Sequence, residues 1–309
     1  MKKLMFLGLI VVLVACQSDE DLGLSPDRVA DVLGVPASVS PFGPTTLFYQ
    51  NVAYGNGERQ QLDVYLPKGA VPEGVFFYFH GGSFTAGDKS DVTSDYIAPT
   101  LRSLLDNNMA LVSANYTFLT SPGSSGVLSA LQDGQAVVEF IRMRQSDLQL
   151  PVNKMVIGGV SAGAGIAQWN AFRPNREAQL QGVVALAAQS TYNLYAWENV
   201  FPGLSLDGLR QANPLIAQLF LGFYGGEPTP ADLSTMDYRA MIDASDPPLY
   251  VYNIAGDELI DAQGDINFDV LYHSYRHSDY LRAKAIEEEL SFSGAFQEQP
   301  QDFVLRVLR

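Results

Sequence analysis

Cysteine is almost missing from this chain, with one residue, Cys16, among 309. A lone thiol excludes an internal disulfide framework and a cysteine-rich metal site. Histidine is nearly as scarce: His80, His273 and His277 are the whole supply, which leaves few candidates for a general base. Positive charge is short as well. Nineteen Lys and Arg stand against 34 Asp and Glu, a formal net charge of −15. That balance argues against a nucleic-acid surface, which needs cations to displace counterions, and against electrostatic attraction to anionic lipid. Solubility is the plainer meaning of the acidity. What remains, 47% hydrophobic residues with 27 glycines and 17 prolines, suits one large domain with a full core.

The most apolar stretch, "LMFLGLIVVLVA", is too short to cross a bilayer. It follows Lys2 and Lys3 and runs into Cys16, the pattern of a secretory signal. The tetrapeptide "LVAC" resembles the bacterial lipoprotein box, so residues 1–15 are expected to be a signal peptide and Cys16 to carry the lipid. Residues 16–44, rich in Ser, Pro, Asp and Gly, then read as a flexible tether, with one short helix in "RVADVLGV". The acyl chains would hold an exported protein on a membrane surface without spanning it. Gln17 and Ser18 after the cysteine point to the outer membrane, facing the periplasm or the cell surface.

From residue 45 to 309 the pattern alternates. "TTLFYQNVAYG" and "RQQLDVYLP" flank a glycine turn and read as a hairpin. "GVFFYF", "MALVSANY", "KMVIGGV", "LQGVVALAA" and "LYVYNIAG" are continuous apolar runs, the mark of strands buried on both faces. Amphipathic segments such as "VLSALQDGQAVVEFIRMRQ" separate them, and "DFVLRVLR" is expected to close the chain as a last strand. The expected fold class is α/β, a mostly parallel central sheet with helices on both faces. A cap-like insertion is expected at about 191–246. Its aromatics, Tyr192, Tyr195, Trp197, Phe201, Phe220, Phe223 and Tyr224, suit either a pocket lining or the core of the cap.

Ser161 lies in Gly159-Val160-Ser161-Ala162-Gly163, between an apolar strand and a helix. That is the setting of a nucleophile elbow, where the turn is tight enough to demand small neighbours and lifts the hydroxyl into the open. The amides at the following helix's N-terminus favour developing negative charge. "HGGSF" (80–84) also follows an apolar strand. Its paired glycines would let the Gly82 and Ser83 amides join that of Ala162 as an oxyanion hole, with His80 bracing the loop.

With these motifs the chain resembles the α/β-hydrolase superfamily, in particular esterases with an HGGG-type oxyanion loop and a GxSAG elbow. The resemblance covers roughly residues 46–309, and "LDVYLP", "YFHGGSFTAGD", "VSANY" and "GVSAGAG" carry it. It implies a serine carboxylesterase acting on a small-molecule ester with no metal or organic cofactor. It also implies an acid after "LYVYNIAG", at Asp257 or, failing that, Asp261. The base is the difficulty, because the family's histidine follows the last strand and this chain ends at Arg309. His277, and after it His273, sit in a long loop that could fold back to Ser161. Otherwise His277 merely precedes a helix capped by Ser278 or Asp279. The catalytic set expected is therefore Ser161, Asp257 and His277, with weak or absent turnover if neither loop histidine reaches the serine. Amide chemistry on the same fold, as in a formamidase or peptidase, and a non-catalytic binding lipoprotein are the rival readings. Asp265, Asn267 and Asp269 alternate like a calcium loop but lack its glycine and terminal glutamate.

Overall fold

The computed structural model describes residues 24–261 and 263–309; Cys16 and the expected signal segment lie outside them. The first described stretch is not a free tether. Helix α1 (Pro26–Leu33) buries Val29 and Leu33, and the Tyr49 hydroxyl donates to the Pro26 carbonyl at 3.0 Å.

Among the described residues nine strands form one sheet: β1 (Ala37–Ser38), β2 (Thr46–Ala53), β3 (Gln61–Pro67), β4 (Gly74–Phe79), β5 (Met109–Ala114), β6 (Met155–Val160), β7 (Leu180–Leu186), β8 (Leu249–Tyr252) and β9 (Phe292–Gly294). Their spatial order is β1-β2-β3-β5-β4-β6-β7-β8-β9. The strands from β1 to β3, and β3 against β5, pair antiparallel, and every later pairing is parallel. This is the mixed, mostly parallel sheet of the α/β-hydrolase fold.

Alternation along β4 shows why the runs are apolar throughout. Val75, Phe77 and Phe79 join a core on one face with α3 (Val127–Met143) and α4 (Ala162–Phe172), while Phe76 and Tyr78 join a second core on the other face with α2 (Ala98–Asp106). Successive side chains point to opposite sides of a strand, so a sheet covered on both faces needs hydrophobes at every position.

Between β7 and β8 the chain forms a 3-10 turn (Leu194–Asn199) and three α-helices, α5 (Leu206–Ala212), α6 (Pro214–Tyr224) and α7 (Pro230–Met236), within the span expected as an insertion. Between β8 and β9 lie α8 (Phe268–His273) and α9 (Tyr275–Glu287). The C-terminus departs from expectation: Pro300–Val307 is a helix, α10, not a strand. Phe303, Val304 and Leu308 recur at helical spacing and pack on the second core, where Phe303 meets Tyr250. Pro300 at its first turn fits a helix start and would remove a ladder donor from a strand. The last strand is β9, in "FSG", a segment too short to show a period. Among the described residues no helix is long and apolar enough to cross a membrane.

Candidate active site

β6 delivers Ser161 to a turn with φ 52° and ψ −114°, a strained conformation for a non-glycine residue. The small neighbours are obligatory. A β-carbon at Gly159 would lie 2.4 Å from the Gly163 carbonyl carbon, and one at Gly163 would lie 2.0 Å from the Phe79 oxygen. The Ser161 amide donates to Leu186 O of β7 at 2.8 Å, and α4 begins at Ala162, immediately after the serine.

The "HGGSF" loop lies alongside. A β-carbon at Gly81 would sit 3.5 Å from Cβ of Ser161, so the two turns are in contact. Gly82, Ser83 and Phe84 all have positive φ, 113°, 53° and 59°, and the Thr85 and Ala86 amides close the turn onto Gly82 O. Among the described residues the Gly82, Ser83 and Ala162 amides have no acceptor within hydrogen-bonding reach. His80 is fully buried, stacked on Tyr116, and its Nδ1 bonds Gly81 O at 2.6 Å while Arg59 approaches Nε2 at 3.4 Å. Burial pushes its pKa down, so the ring braces the loop as a neutral group.

The histidine that meets Ser161 is His273. Its Nε2 lies 3.0 Å from Ser161 Oγ, and its Nδ1 lies 2.8 Å from Asp269 Oδ1. If the serine hydroxyl donates to Nε2, the ring proton sits on Nδ1, where Asp269 accepts it. Asp269 and His273 share one face of α8 because they are four residues apart. Asn267 caps that helix by accepting from the Val270 amide at 3.2 Å. Two members of the pseudo-calcium triplet thus have other partners: Asn267 holds the helix and Asp269 the histidine.

His277 and Asp257, expected beside the serine, are engaged elsewhere. α9 starts at Tyr275 with Ser274 as its cap, so His277 is inside its first turn and does not precede a cap at Ser278 or Asp279. Its Nδ1 accepts from the Ser190 amide at 3.2 Å and its Nε2–H donates to Leu271 O at 2.9 Å. Asp257 accepts from Tyr275 Oη at 3.0 Å and Arg276 Nη2 at 2.9 Å on the surface. Those bonds, Tyr275 first and Arg276 second, hold its carboxyl below the usual range. The physical reason is the shortness of β8. The chain leaves the sheet after Tyr252, and Ala255 pairs with Ser274, which carries Asp257 out against the start of α9. Asp261 closes a turn by accepting from the Gln263 and Asp265 amides. The spacing Asp269-x-x-x-His273 was the available signal for the observed pair, but it acquires meaning only once residues 268–273 are known to be helical.

The serine opens onto a cavity of about 410 Å³. Ser83, Ser161 and Ala162 line it, together with Leu206, Ile216, Phe220 and Phe223 of the α5–α6 hairpin. Trp197 and Tyr192 line it too, while Tyr195, Phe201 and Tyr224 do not, so the insertion's aromatics divide between lining and cap core. Among the described residues no Lys, Arg, Asp or Glu lines the cavity. Among the described residues there is no cluster of His, Cys, Asp or Glu suited to a metal ion.

Comparison with known proteins gives this site a class. The BD-FAE family pattern matches residues 62–268, and the chain belongs to that family of carbohydrate esterases. The match ends one residue before Asp269. No curated protein matches the chain in sequence. Among solved structures, a bifunctional GH43-CE protein of Bacteroides eggerthii aligns with TM-score 0.62 at 17% identity, over 84% of this chain and 38% of that one. The chain therefore spans well under half of that protein's length. A truncated carbohydrate esterase from gut microbiota aligns with TM-score 0.61 at 13% identity, over 84% of this chain and 96% of the other. Esterase B of Lactobacillus rhamnosis, in an inhibited form, aligns with TM-score 0.57 at 15% identity, covering 87% and 78%. At these identities the structural likenesses speak for the fold.

Proposed function

We propose that the chain is a serine carboxylesterase whose catalytic set is Ser161, His273 and Asp269. The observation that carries this reading is the continuous path Asp269–His273–Ser161, at 2.8 and 3.0 Å, at the wall of an apolar cavity. Ser161 Oγ attacks the ester carbonyl carbon as its proton passes to His273 Nε2. The negative charge on the carbonyl oxygen is received by the unpartnered amides of Gly82, Ser83 and Ala162, with the α4 N-terminus adding a favourable field. Collapse breaks the ester bond, and the leaving alkoxide takes the proton from His273. Water then attacks the acyl-enzyme by the same route in reverse.

The cavity walls favour an apolar acyl group, aliphatic or aromatic, and the family supports a carbohydrate on the alcohol side. Each methylene buried in such a pocket adds about 0.8 kcal/mol, roughly fourfold in binding. The specificity constant is therefore expected to rise from acetyl to hexanoyl p-nitrophenyl esters by about 100-fold or more. A fluorophosphonate should label Ser161, and His273→Ala should all but stop labelling. Undiminished labelling of His273→Ala would remove that residue from the mechanism.

Export and lipidation at Cys16, with residence on a bacterial outer membrane, are proposed on the sequence alone. Labelled fatty acid should mark the wild type and spare Cys16→Ser; equal labelling of both would refute it.

A further inference from the structure

α8 carries both Asp269 and His273, yet it is six residues long. A helix of that length has no stability of its own, and its last carbonyls lack intrahelical donors. Val270 O accepts from the Ser274 amide, and two of the others are taken by buried side chains from other elements. Leu271 O accepts from His277 Nε2 at 2.9 Å, and Tyr272 O accepts from Gln189 Nε2 at 2.9 Å. Beyond the helix end, Ser274 O accepts from Asn253 Nδ2 at 3.0 Å.

The three donors share one anchor, the segment after β7. Asn253 bonds both the amide and the carbonyl of Ala188, at 2.9 and 2.7 Å, and Gln189 belongs to that segment itself. His277 accepts from the Ser190 amide through Nδ1. Ala188, Gln189 and Ser190 are all buried, as are Asn253, Ser274 and His277. Trp197 and Phe201 stand edge-on to the His277 ring at 5.0 and 5.4 Å and pack with Val270 and Leu271 of α8.

We infer that His277, Gln189 and Asn253 are positioning residues that clamp the C-terminal end of α8 to the 188–190 segment and so set His273 within reach of Ser161. This rests on the reading of His273 as the base. His277 suits its place because a neutral imidazole accepts at one end and donates at the other. Its Nδ1 faces both the Ser190 amide, at 3.2 Å, and the Ser190 hydroxyl, at 3.0 Å, and burial keeps the ring neutral by pushing its pKa down to about 4. His277 touches neither Ser161 nor the cavity.

The test is ester hydrolysis by His277→Leu and His277→Gln, with thermal unfolding of each. Leucine fills the space without hydrogen bonds, whereas glutamine can donate to Leu271 O and accept from Ser190 but cannot act as a base. Misplacement of a catalytic group by about 1 Å costs on the order of 100-fold, so His277→Leu should lower kcat by about that factor with KM changed less than about threefold. His277→Gln should recover activity to within about fivefold of wild type. A folded leucine variant with wild-type kcat, or a glutamine variant no better than the leucine one, overturns the inference. If the leucine variant does not fold, Gln189→Met removes the donor to Tyr272 O at similar volume; because Gln189 also lines the cavity, the reading there is kcat alone, expected to fall by about 100-fold, and a folded variant with wild-type kcat overturns the inference. His273→Ala run in parallel separates the two readings. An active His273→Ala would fail the proposed base itself. An inactive one beside an unimpaired His277→Leu would fail the clamp alone.

Discussion

Ser161 and His273 lie 3.0 Å apart, yet they are held there by different means. The serine stands on a turn between a buried strand and an eleven-residue helix, both deep in the principal core. Its position follows from hydrogen bonds to the next strand and from glycines with no room for a side chain. The histidine stands on one and a half turns of helix, capped by Asn267 and tied down by side chains from β8's end, the 188–190 segment and α9. Main-chain geometry fixes the proposed nucleophile; a side-chain network fixes the proposed base. Networks of that kind can be worth more than the sum of their bonds, but they are also easier to loosen one member at a time.

The largest effects should come from the reacting atoms themselves. Ser161→Ala or His273→Ala is expected to lower kcat/KM by about 10⁴-fold or more, leaving the residual catalysis that oxyanion stabilisation and binding supply. Ser161→Ala should unfold at a temperature close to wild type. A His273→Ala variant retaining a tenth of wild-type activity would break the symmetry proposed between the two residues.

Next is the rigid side. Gly163→Ala forces a β-carbon to 2.0 Å from the Phe79 oxygen, against backbone that cannot step aside. The expected cost is about 3 kcal/mol or more, seen as a large drop in the midpoint of chemical denaturation. A variant as stable as wild type would mean that the elbow yields more readily than its contacts imply.

The same contrast governs what could be read from sequence. Strand, elbow and oxyanion loop obey local rules: apolar runs, paired glycines and a serine between small residues. All of them stand where "KMVIGGVSAGAG" and "HGGSF" place them. The base obeys none. "INFDVLYHSYRH" holds two capping residues, Asn267 and Ser274, but no period strong enough to announce a six-residue helix between them, and which of two histidines four residues apart faces the serine depends on where that helix stops. It stops at Ser274, whose side chain opens α9, so His273 meets Ser161 and His277 falls in the packing behind it. The C-terminal helix was hidden for a related reason. "FVLRVLR" has its hydrophobes at positions that fit either period, and only the partner core decides.

On the side-chain network, pH offers a finer probe. The His277 pKa is pushed down to about 4 in the fold and would return to near 6.5 on unfolding. Between those values the unfolded chain binds the extra proton, so stability is fully present above about pH 6.5 and is lost as pH falls toward 4. The loss is on the order of 3 kcal/mol. Asp246, whose carboxyl burial pushes up to about 6, acts in the opposite sense over an overlapping range. The measurement is therefore a difference: wild type should lose more stability than His277→Gln between pH 7 and pH 4.5. Equal losses would show that the ring is not held neutral by the fold.

Asp269 should matter less than the acid of a buried triad. Its side chain is 73% exposed, so water and salt screen its attraction for the imidazolium that forms during attack. Replacing a buried acid at this point can cost about 10⁴-fold. For Asp269→Asn the expected fall in kcat/KM is about 10- to 50-fold, and it should grow as salt is lowered. A loss as large as that of His273→Ala would show that the site closes over Asp269 when substrate binds.

The smallest effect is expected at Asp257, the carboxylate that the family resemblance implied as the acid. It accepts from Tyr275 and Arg276 at the surface, with no bond to either histidine. An exposed pair of this kind contributes little to stability, and it sits at the start of α9 beyond the residues that clamp α8. Asp257→Asn should keep kcat/KM within about twofold of wild type and leave its dependence on salt unchanged. Set beside Asp269→Asn, the variant turns the comparison of two loops into a comparison of two carboxylates under one assay. If Asp257→Asn proved the more damaging, the acid would belong to the end of β8 after all. The 2.8 Å contact between Asp269 and His273 would then be a surface pair without catalytic weight. If Asp269→Asn is the more damaging, this chain draws its acid and its base from a single helical turn.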